Sequence, residues 1–171
     1  MTDLERVFRN HPFVATLSDA HIAAFESCEP TYVTFEPGDK IVREGQVGDA
    51  CYLIEEGEVG LDFYVSGRGS HPTQIVHGGE VVGWSWFFPP YRGVLDATAL
   101  TPVTALRIDA AVLRDKMETD PAFGYAMLVR LGRVAVSRLD ASRRELIDSH
   151  EKKVADPTER PKHPGDLSRT G

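Results

Sequence analysis

Short runs of β-branched and aromatic residues, separated by turn-forming residues, fill the middle of the chain and constrain its fold most strongly. The runs read TYVTF, KIVRE, CYLIE, VGLDFYV, TQIVH, EVVG and VTALRI. The segments between them include Pro37-Gly38-Asp39, Gly45 with Gly48-Asp49, Glu56-Gly57, Gly67-Arg68-Gly69 and Gly78-Gly79. Glycine adopts positive φ at little steric cost, so we predict tight turns there. Short strands at this spacing predict a mostly β fold, a sandwich or barrel, over residues 31–108.

Residues 1–30 are predicted to form an N-terminal helical segment. Apolar side chains recur at helical spacing between residues 3 and 26, and His11-Pro12 interrupts them. Two short amphipathic helices separated by a turn are expected, because the residue before a proline disfavours helical geometry. Ser18 and Asp19 are candidate N-caps of the second helix.

Residues 109–149 are predicted to form a hinge and a long helix. The pattern favours a short helix over 110–118 and a long one over about 122–149, with Asp120-Pro121 as its N-terminal capping pair. The remaining residues, 150–171, are polar and proline-containing, so we expect a disordered tail.

The long helix carries a narrow apolar seam with steps of three and four residues. The seam consists of Leu128, Leu131, Ala135, Leu139, Ser142 and Leu146. A helix of about 28 residues is about 42 Å long, more than a domain of this size usually needs to cover. The seam therefore fits either packing within the chain or a homodimer contact, for which we name Leu128, Leu131, Ala135, Leu139 and Leu146.

Composition indicates the cellular compartment in which we expect the protein. With 171 residues, of which 42% are hydrophobic, the chain can hold a single core without disulfides or a structural metal. The two cysteines, Cys28 and Cys51, fit reduced thiols better than one disulfide of a secreted chain. No apolar run approaches the length of a membrane span, so we expect a cytoplasmic protein with no membrane partner.

Charge disfavours nucleic acid as a partner. The chain has 19 Lys+Arg against 26 Asp+Glu, a formal charge of −7 that repels phosphate backbones. One arginine cluster lies on the long helix, where acidic residues alternate with it, and we predict a solvated helix face. The cluster consists of Arg130, Arg133, Arg138, Arg143 and Arg144.

Catalytic and metal-binding residues are not predicted. His71 and His77 flank one strand run, but no third and fourth ligand follow at a compatible spacing. The cysteines lack Cys-x-x-Cys spacing and an adjacent base. We expect no enzyme and no metal.

The glycine-punctuated start of the β region resembles a known family. Its motifs are FEPGDKIVREG at 35–45, GD at 48–49, YLI at 52–54 and GEV at 57–59. They resemble the cyclic-nucleotide-binding domain of the Crp/Fnr regulators and of cyclic-nucleotide-regulated kinases and channels, over about residues 10–148. The resemblance implies a double-stranded β-helix, or jelly-roll, barrel with N-terminal helices and a long C-terminal helix.

The resemblance also implies a phosphate-binding cassette, in which a glutamate bonds the ribose and an arginine bonds the cyclic phosphate. Matching GEVVG at 79–83 places Gly83 at the glycine of the cassette and Trp84 at the position of its glutamate. Matching Ala97-Thr98 places Leu95 at the position of the arginine, with Arg92 three residues too early. Cyclic nucleotide is therefore disfavoured as a ligand.

Aromatic residues crowd the altered cassette, WSWFFPPYR at 84–92, and three interpretations stay open. The rings can fill the ligand space, stack on a planar ligand beside the Arg92 fork, or face outward as a partner-binding anchor. Asp96 can pair with Arg92 or lie solvated at the edge. The candidate ligand-binding residues are Gly83, Trp84, Ser85, Trp86, Arg92, Asp96 and Thr98.

These patterns predict a stand-alone Crp-like regulatory or sensor module. Crp-like transcription factors continue into a DNA-reading domain, and the short polar tail here predicts none. The module is expected to act through a protein partner, gated by a small ligand other than cAMP. The alternative is a scaffold or accessory subunit whose pocket is permanently plugged.

Overall fold

The computed structural model describes residues 3–67 and 69–155 of the chain. Its α-helices are α1 (Asp3–Asn10), α2 (Asp19–Glu26), α3 (Ala110–Thr119) and α4 (Pro121–Ala155). Its strands are β1 (Thr31–Phe35), β2 (Lys40–Val42), β3 (Ala50–Glu56), β4 (Glu58–Val65), β5 (Gly69–His77), β6 (Val81–Val82), β7 (Asp96–Ala99) and β8 (Val103–Asp109). A 3-10 helix, Trp84–Phe87, follows β6. The mostly β fold with helices at both ends is thereby confirmed.

The strands form two antiparallel four-stranded sheets, with orders β1-β8-β3-β6 and β2-β7-β4-β5. Apolar side chains from both sheets, among them Ile54, Leu61 and Ala97, form the core between them. Each sheet keeps its edge strands, so the expected barrel is an open jelly roll.

The second core lies between the first sheet and the helices. β3 belongs to both cores: Cys51 and Leu53 pack with the helices, whereas Tyr52 and Ile54 pack between the sheets. Phe25 is fully buried among the helices. The helices therefore cover the outer face of the sheet that contains β3.

Predicted helix caps are confirmed. The Ser18 side chain accepts from the backbone N–H of His21 at 3.3 Å at the start of α2. Asp120 Oδ1 accepts from the N–H of Phe123 at 3.1 Å, and Pro121 is the first residue of α4. These bonds satisfy N–H groups that a helix start leaves without partners.

Two expectations about the β region need correction. The turn glycines Gly48 and Gly78 do not adopt positive φ; a Cβ at Gly48 would lie 2.5 Å from Trp86 Cβ and one at Gly78 would clash with the Glu55 carbonyl oxygen, so close packing explains both glycines. Strand β7 was not expected from the residue pattern, because its sequence DATA lacks the branched residues that mark strands.

The long helix α4 extends beyond its expected end at residue 149 to Ala155. Leu131 is 1% exposed and packs in the chain's own core, so its predicted dimer contact is wrong. Residues 156–171, which include most of the predicted tail, lie outside the described residues. No helix of the described part has the length and apolarity needed to cross a membrane.

Candidate functional site

The cassette segment, which we define as residues 83–95, connects β6 to β7. Gly83 turns the chain into the 3-10 helix with a φ of 78°. That conformation favours glycine, and a Cβ at this position would also lie 2.7 Å from the carbonyl oxygen of Ala50. Both constraints explain why glycine opens the segment.

A small cavity, the cassette cavity, lies beneath the start of this segment. Its volume is about 60 Å³. Trp84 and Leu95, the residues at the positions of the family's glutamate and arginine, both line it, together with apolar side chains of β2, β4 and β7. Small-molecule sites usually enclose about 300–1,000 Å³, so a cyclic nucleotide does not fit this cavity without rearrangement.

A second cavity, the loop cavity, lies between the β2–β3 loop and the start of the cassette segment. It encloses about 250 Å³, and its wall combines Gly83, Ser85 and Trp86 with charged residues of the loop. The charged residues of this wall are Lys40, Arg43 and Asp49. Three of the predicted ligand-binding residues therefore meet at one cavity with mixed charge.

Arg92 is directed away from both cavities. Its Nη1 donates to the carbonyl oxygen of Gly45 at 2.7 Å, and its side chain is exposed. The neighbouring Gly93 N–H donates to the carbonyl oxygen of Gln46 at 2.9 Å, which holds the segment against the β2–β3 loop. The guanidinium of Arg92, predicted to bind an anion, is therefore engaged in a contact with the β2–β3 loop.

Asp96 pairs with a lysine and not with Arg92. Its Oδ2 lies 2.7 Å from Lys40 Nζ, and its Oδ1 accepts from the backbone N–H of Glu44 at 2.7 Å. Partial burial raises the pKa of Asp96, but the bonds from Lys40 and Glu44 and the charge of Arg43 outweigh burial and lower it overall. Asp96 therefore joins β2 to β7 and neutralises the charge of Lys40, which is then less available to an anion.

Thr98 lies on the outer face of its strand. Its neighbour Ala97 is 1% exposed and lines the cassette cavity, whereas Thr98 lines a surface groove with Gln74 and Leu100. Successive side chains of a strand point to opposite faces, so Thr98 cannot share the cavity with Ala97. It is thereby separated from Gly83, Trp84, Ser85 and Trp86, and it shares the face of β7 with Asp96.

The aromatic side chains of the cassette segment divide between two environments. Trp86 is 1% exposed and belongs to the helical core, with Trp84 and Phe87 packed against that core. Phe88 and Tyr91 are each 40% exposed. The buried rings thus pack with the helices, the exposed rings lie at the surface, and the three interpretations of the sequence stay predictions.

Arg114 of α3, which sequence reasoning did not single out, contacts this aromatic cluster. Its Nη1 donates to the carbonyl oxygen of Trp86 at 3.2 Å. Its guanidinium carbon lies 4.9 Å from the ring centroid of Tyr91, a cation–π contact. Clustered aromatic rings indicate that a cation can pack nearby, but no spacing in the sequence identifies Arg114.

Arg138 of α4 contradicts the predicted solvated helix face. Its side chain is 11% exposed, and its Nη2 donates to the carbonyl oxygen of Val81 at 3.1 Å. The carboxylate of Glu80 lies 3.6 Å from the same nitrogen. Burial lowers the pKa of Arg138, and the charge of Glu80 partly offsets this shift. Arg130 is also part-buried, whereas Arg133 remains exposed as expected.

The described residues contain no group of three or more His, Cys, Asp and Glu placed to hold a metal ion. Cys28 and Cys51 are free and buried. Burial raises the pKa of the Cys28 thiol to about 11 and that of Cys51 to about 12. Neither side chain forms appreciable thiolate at neutral pH, so both act as small core residues.

Comparison with known sequences connects this site to a family. A sequence model of the cyclic nucleotide-binding domain matches residues 32–120. The human potassium/sodium hyperpolarization-activated cyclic nucleotide-gated channel 3 is 35% identical over 69 residues, which cover 34% of this chain and 8% of the channel. The mouse channel 3 matches over the same share. The chain therefore spans less than a tenth of the length of these curated relatives.

Solved structures share the fold. A proposed cyclic nucleotide-binding protein of Geobacter metallireducens GS-15 is 29% identical with a TM-score of 0.69, covering 81% of this chain and 99% of that one. The N-terminal domain of a Streptomyces coelicolor A3(2) transcriptional regulator is 28% identical with a TM-score of 0.60, covering 79% and 94%. A cyclic nucleotide-binding domain of Methylobacillus flagellatus KT is 17% identical with a TM-score of 0.74, covering 85% of each chain. Because the family model spans 89 of the 171 residues on this shared fold, the chain belongs to the cyclic nucleotide-binding domain family.

Proposed function

We propose that this protein is a regulatory module that keeps the family fold without its cAMP specificity, and that it acts through a protein partner under control of a different small ligand. The observation that carries the proposal is that Trp84 and Leu95 line the cassette cavity. They replace a carboxylate and a guanidinium that bind nucleotide in the family. Losing two charge-assisted hydrogen bonds removes about 3–6 kcal/mol, or about 10²–10⁴ in affinity.

The loop cavity supports a role for a small ligand. Its volume of about 250 Å³ and its charged wall suit a polar molecule smaller than a nucleotide. Gly83, Ser85 and Trp86 line it, so a bound molecule contacts the start of the cassette segment. The ligand can then move the segment only if it binds one of two conformations more tightly than the other.

Two arginines provide a route from this segment to the helices. Arg114 joins α3 to Trp86 and Tyr91, and Arg138 joins α4 to Val81 of β6, just before the cassette segment. A displacement of the segment changes both contacts, and with them the position of α3 and α4. Regulation by this route changes which surface the long helix presents to a partner.

The long helix supports a homodimer. Its own-chain face includes Phe123, Met127 and Leu131, all 1% exposed or less. A second apolar row, offset by one residue, follows a heptad-like spacing of three and four; it consists of Leu128, Gly132, Ala135, Leu139, Ser142 and Leu146. Leu128, Leu139 and Leu146 are 44%, 70% and 71% exposed. We propose this row, with Gly132 in place of Leu131, as the contact between two copies.

The exposed end of the cassette segment is the proposed contact for a partner protein. Phe88, Tyr91 and Val94 are 40%, 40% and 59% exposed, and Val47 of the adjacent loop is 67% exposed. Aromatic side chains on such a patch are the groups that dominate protein–protein binding energy. Two free thiols, Cys28 and Cys51, support placing the module in a reducing compartment such as the cytoplasm.

A permanently plugged scaffold is the second candidate. It is favoured by the small volume of the cassette cavity, about 60 Å³, and by Trp84 and Leu95 in its wall. The two functions differ in whether any small molecule stabilises the chain. A library of polar metabolites, screened by thermal melting, separates them.

The decisive experiment compares nucleotide binding by the natural chain and by the double variant Trp84→Glu/Leu95→Arg. Thermal melts at about 1 mM cAMP or cGMP should leave the natural chain unchanged. The double variant restores both charged groups, and cAMP at 100 times its Kd should add about 2.7 kcal/mol of stability. Trp84→Leu/Leu95→Met controls for volume alone. A rise in the melting temperature of the natural chain with cAMP would overturn the proposal.

A further inference from the structure

A groove between α4 and the N-terminal turn collects three arginines. It encloses about 400 Å³, and its wall includes Arg130, Arg133 and Arg138 together with Thr16 and Ser137. Glu80 is the one acidic residue among the described residues of this wall. Three guanidinium groups against one carboxylate leave a formal excess of two positive charges, on a chain whose overall charge is −7.

Arg138 lines this groove and has unused donor capacity, on a nitrogen that the side chain must turn to present to a ligand. Its Nη1 is inaccessible to solvent and has no hydrogen-bond partner among the described residues. Its Nη2 is engaged by Val81, with Glu80 at 3.6 Å, longer than a hydrogen bond. A buried guanidinium that lacks part of its bonding is unfavourable, so this position favours an additional acceptor.

Arg130 adds positive charge to the groove. Its Nη1 donates to the carbonyl oxygen of Phe13 at 2.8 Å, and its Nη2 donates to Thr16 Oγ1 at 2.6 Å. Both acceptors are neutral. Burial lowers the pKa of Arg130, and the nearby charge of Arg133 lowers it further. The like charges are therefore close enough to repel, which a bound anion relieves.

We propose that this groove binds the phosphate group of a small phosphorylated molecule. A phosphate monoester carries a charge of about −1.5 to −2 at neutral pH, which matches the formal excess of two positive charges. Guanidinium groups bind phosphate oxygens in a planar, two-pronged geometry, and Ser137 and Thr16 supply further donors at the wall.

The groove lies outside the loop cavity, so the inference goes beyond the proposed function. Its effect on regulation follows from Arg138, which lines both the groove and the cassette cavity. A phosphate that engages Arg138 competes with Glu80 for the guanidinium. Ligand in the groove thereby changes the contact that joins α4 to Val81.

The test is isothermal titration of the full chain with inorganic phosphate and with glycerol phosphate, at constant ionic strength. We expect saturable binding that Arg138→Gln weakens about 10- to 100-fold, since one charge-assisted bond is lost. Arg133→Gln, at an exposed position, should weaken it several-fold. Arg143→Gln is the matched control, because Arg143 is exposed on the same helix and is not part of the groove wall.

Three outcomes would overturn the inference. These are the absence of saturable heat with either phosphate compound, an equal loss in Arg143→Gln and Arg133→Gln, and binding of acetate as tight as that of phosphate. If Arg138→Gln does not melt cooperatively, phosphate binding by Arg133→Gln tests the inference instead. Binding of cAMP by the natural chain would refute the proposed function and leave this site standing, because the two experiments use different ligands and variants.

Discussion

The Nη2 nitrogen of Arg138 lies 3.1 Å from the carbonyl oxygen of Val81, so the long helix is bonded to the strand that leads into the cassette segment. Val81 and Val82 form the short strand β6, which pairs only with β3. A strand of two residues has few hydrogen bonds of its own. The arginine therefore adds a direct hydrogen bond between α4 and the strand that precedes the cassette segment.

Arg138→Ala should loosen the cassette without unfolding the domain. Removal of the guanidinium leaves the Val81 carbonyl without this donor, so amide hydrogen exchange should accelerate across residues 81–88. Mass-spectrometric hydrogen exchange measures this effect. Arg143→Ala should leave the same amides unchanged, because Arg143 is exposed. Equal protection in both variants would show that Arg138 does not connect the two elements.

Stability should fall as the pH drops below about 6.5, because of His11. His11 is 4% exposed; its Nδ1 accepts from the Phe13 N–H at 3.2 Å, which leaves Nε2 to donate to the Ile54 carbonyl at 3.0 Å. Burial lowers the pKa of His11, and the bond to Ile54 only partly opposes this. The unfolded chain therefore takes up a proton at a higher pH than the folded chain does. The stabilisation is complete above pH 6.5 and is lost as pH falls toward the lower folded pKa.

Urea unfolding between pH 5 and 8 measures this dependence. His11→Gln should lower stability at pH 8 by about 1–3 kcal/mol and should flatten the slope below pH 6.5. His77→Gln is the control, because the His77 side chain is 60% exposed, and it should retain the slope. A slope that survives in His11→Gln would assign the pH dependence to other groups.

Gly83→Ala should destabilise the domain more than Gly38→Ala. Both glycines have positive φ, 78° and 96°, so alanine is strained at either position. Only Gly83 also approaches a carbonyl oxygen, that of Ala50, whereas a Cβ at Gly38 meets nothing within 4 Å. Strain alone costs about 1–3 kcal/mol, and crowding against backbone adds to it. Equal denaturation midpoints would show that the close approach to Ala50 carries no penalty.

Leu139→Lys should convert the proposed dimer into a monomer. Leu139 is 70% exposed, and it lies midway along the apolar row of α4. A lysine at this position places two like charges in an apolar contact of a symmetric dimer. Val112→Lys on α3, which is 46% exposed, is the matched surface control. Light scattering after gel filtration reports both masses, and a natural chain that is already monomeric would refute the dimer.

The β region was predictable because its signals are local. Glycines with positive φ such as Gly38 and Gly57 are required by single turns, and the runs between them are rich in β-branched and aromatic residues. Helix caps at Ser18 and Asp120 were predictable for the same reason. By contrast, β7 has little strand propensity, and its pairing with β2 and β4 decides its conformation.

The site was less predictable because its contacts are distant in sequence. Arg92 and Asp96 are close neighbours along the chain, yet each bonds a residue of the segment between residues 40 and 45. Leu131 was assigned by helical period and Arg138 by its acidic neighbours, and neither signal shows which face of a helix its own domain covers. Only the packing of α4 on the sheet supplies that information.

Because β3 is buried on both faces, its hydrophobic pattern does not determine its register. A slip by one residue would turn Tyr52 toward the helices and Leu53 toward the opposite sheet, exchanging two large and largely hydrophobic side chains. What rejects the slipped strand is shape, through the ring contact of Tyr52 with Phe35 at 5.8 Å, and pairing with neighbours on both edges. The register of β3 therefore depends on the correct packing of the neighbouring strands and helices. Hydrophobicity alone would not reject a slipped β3, and the slip would also displace β6, the strand that precedes the cassette segment.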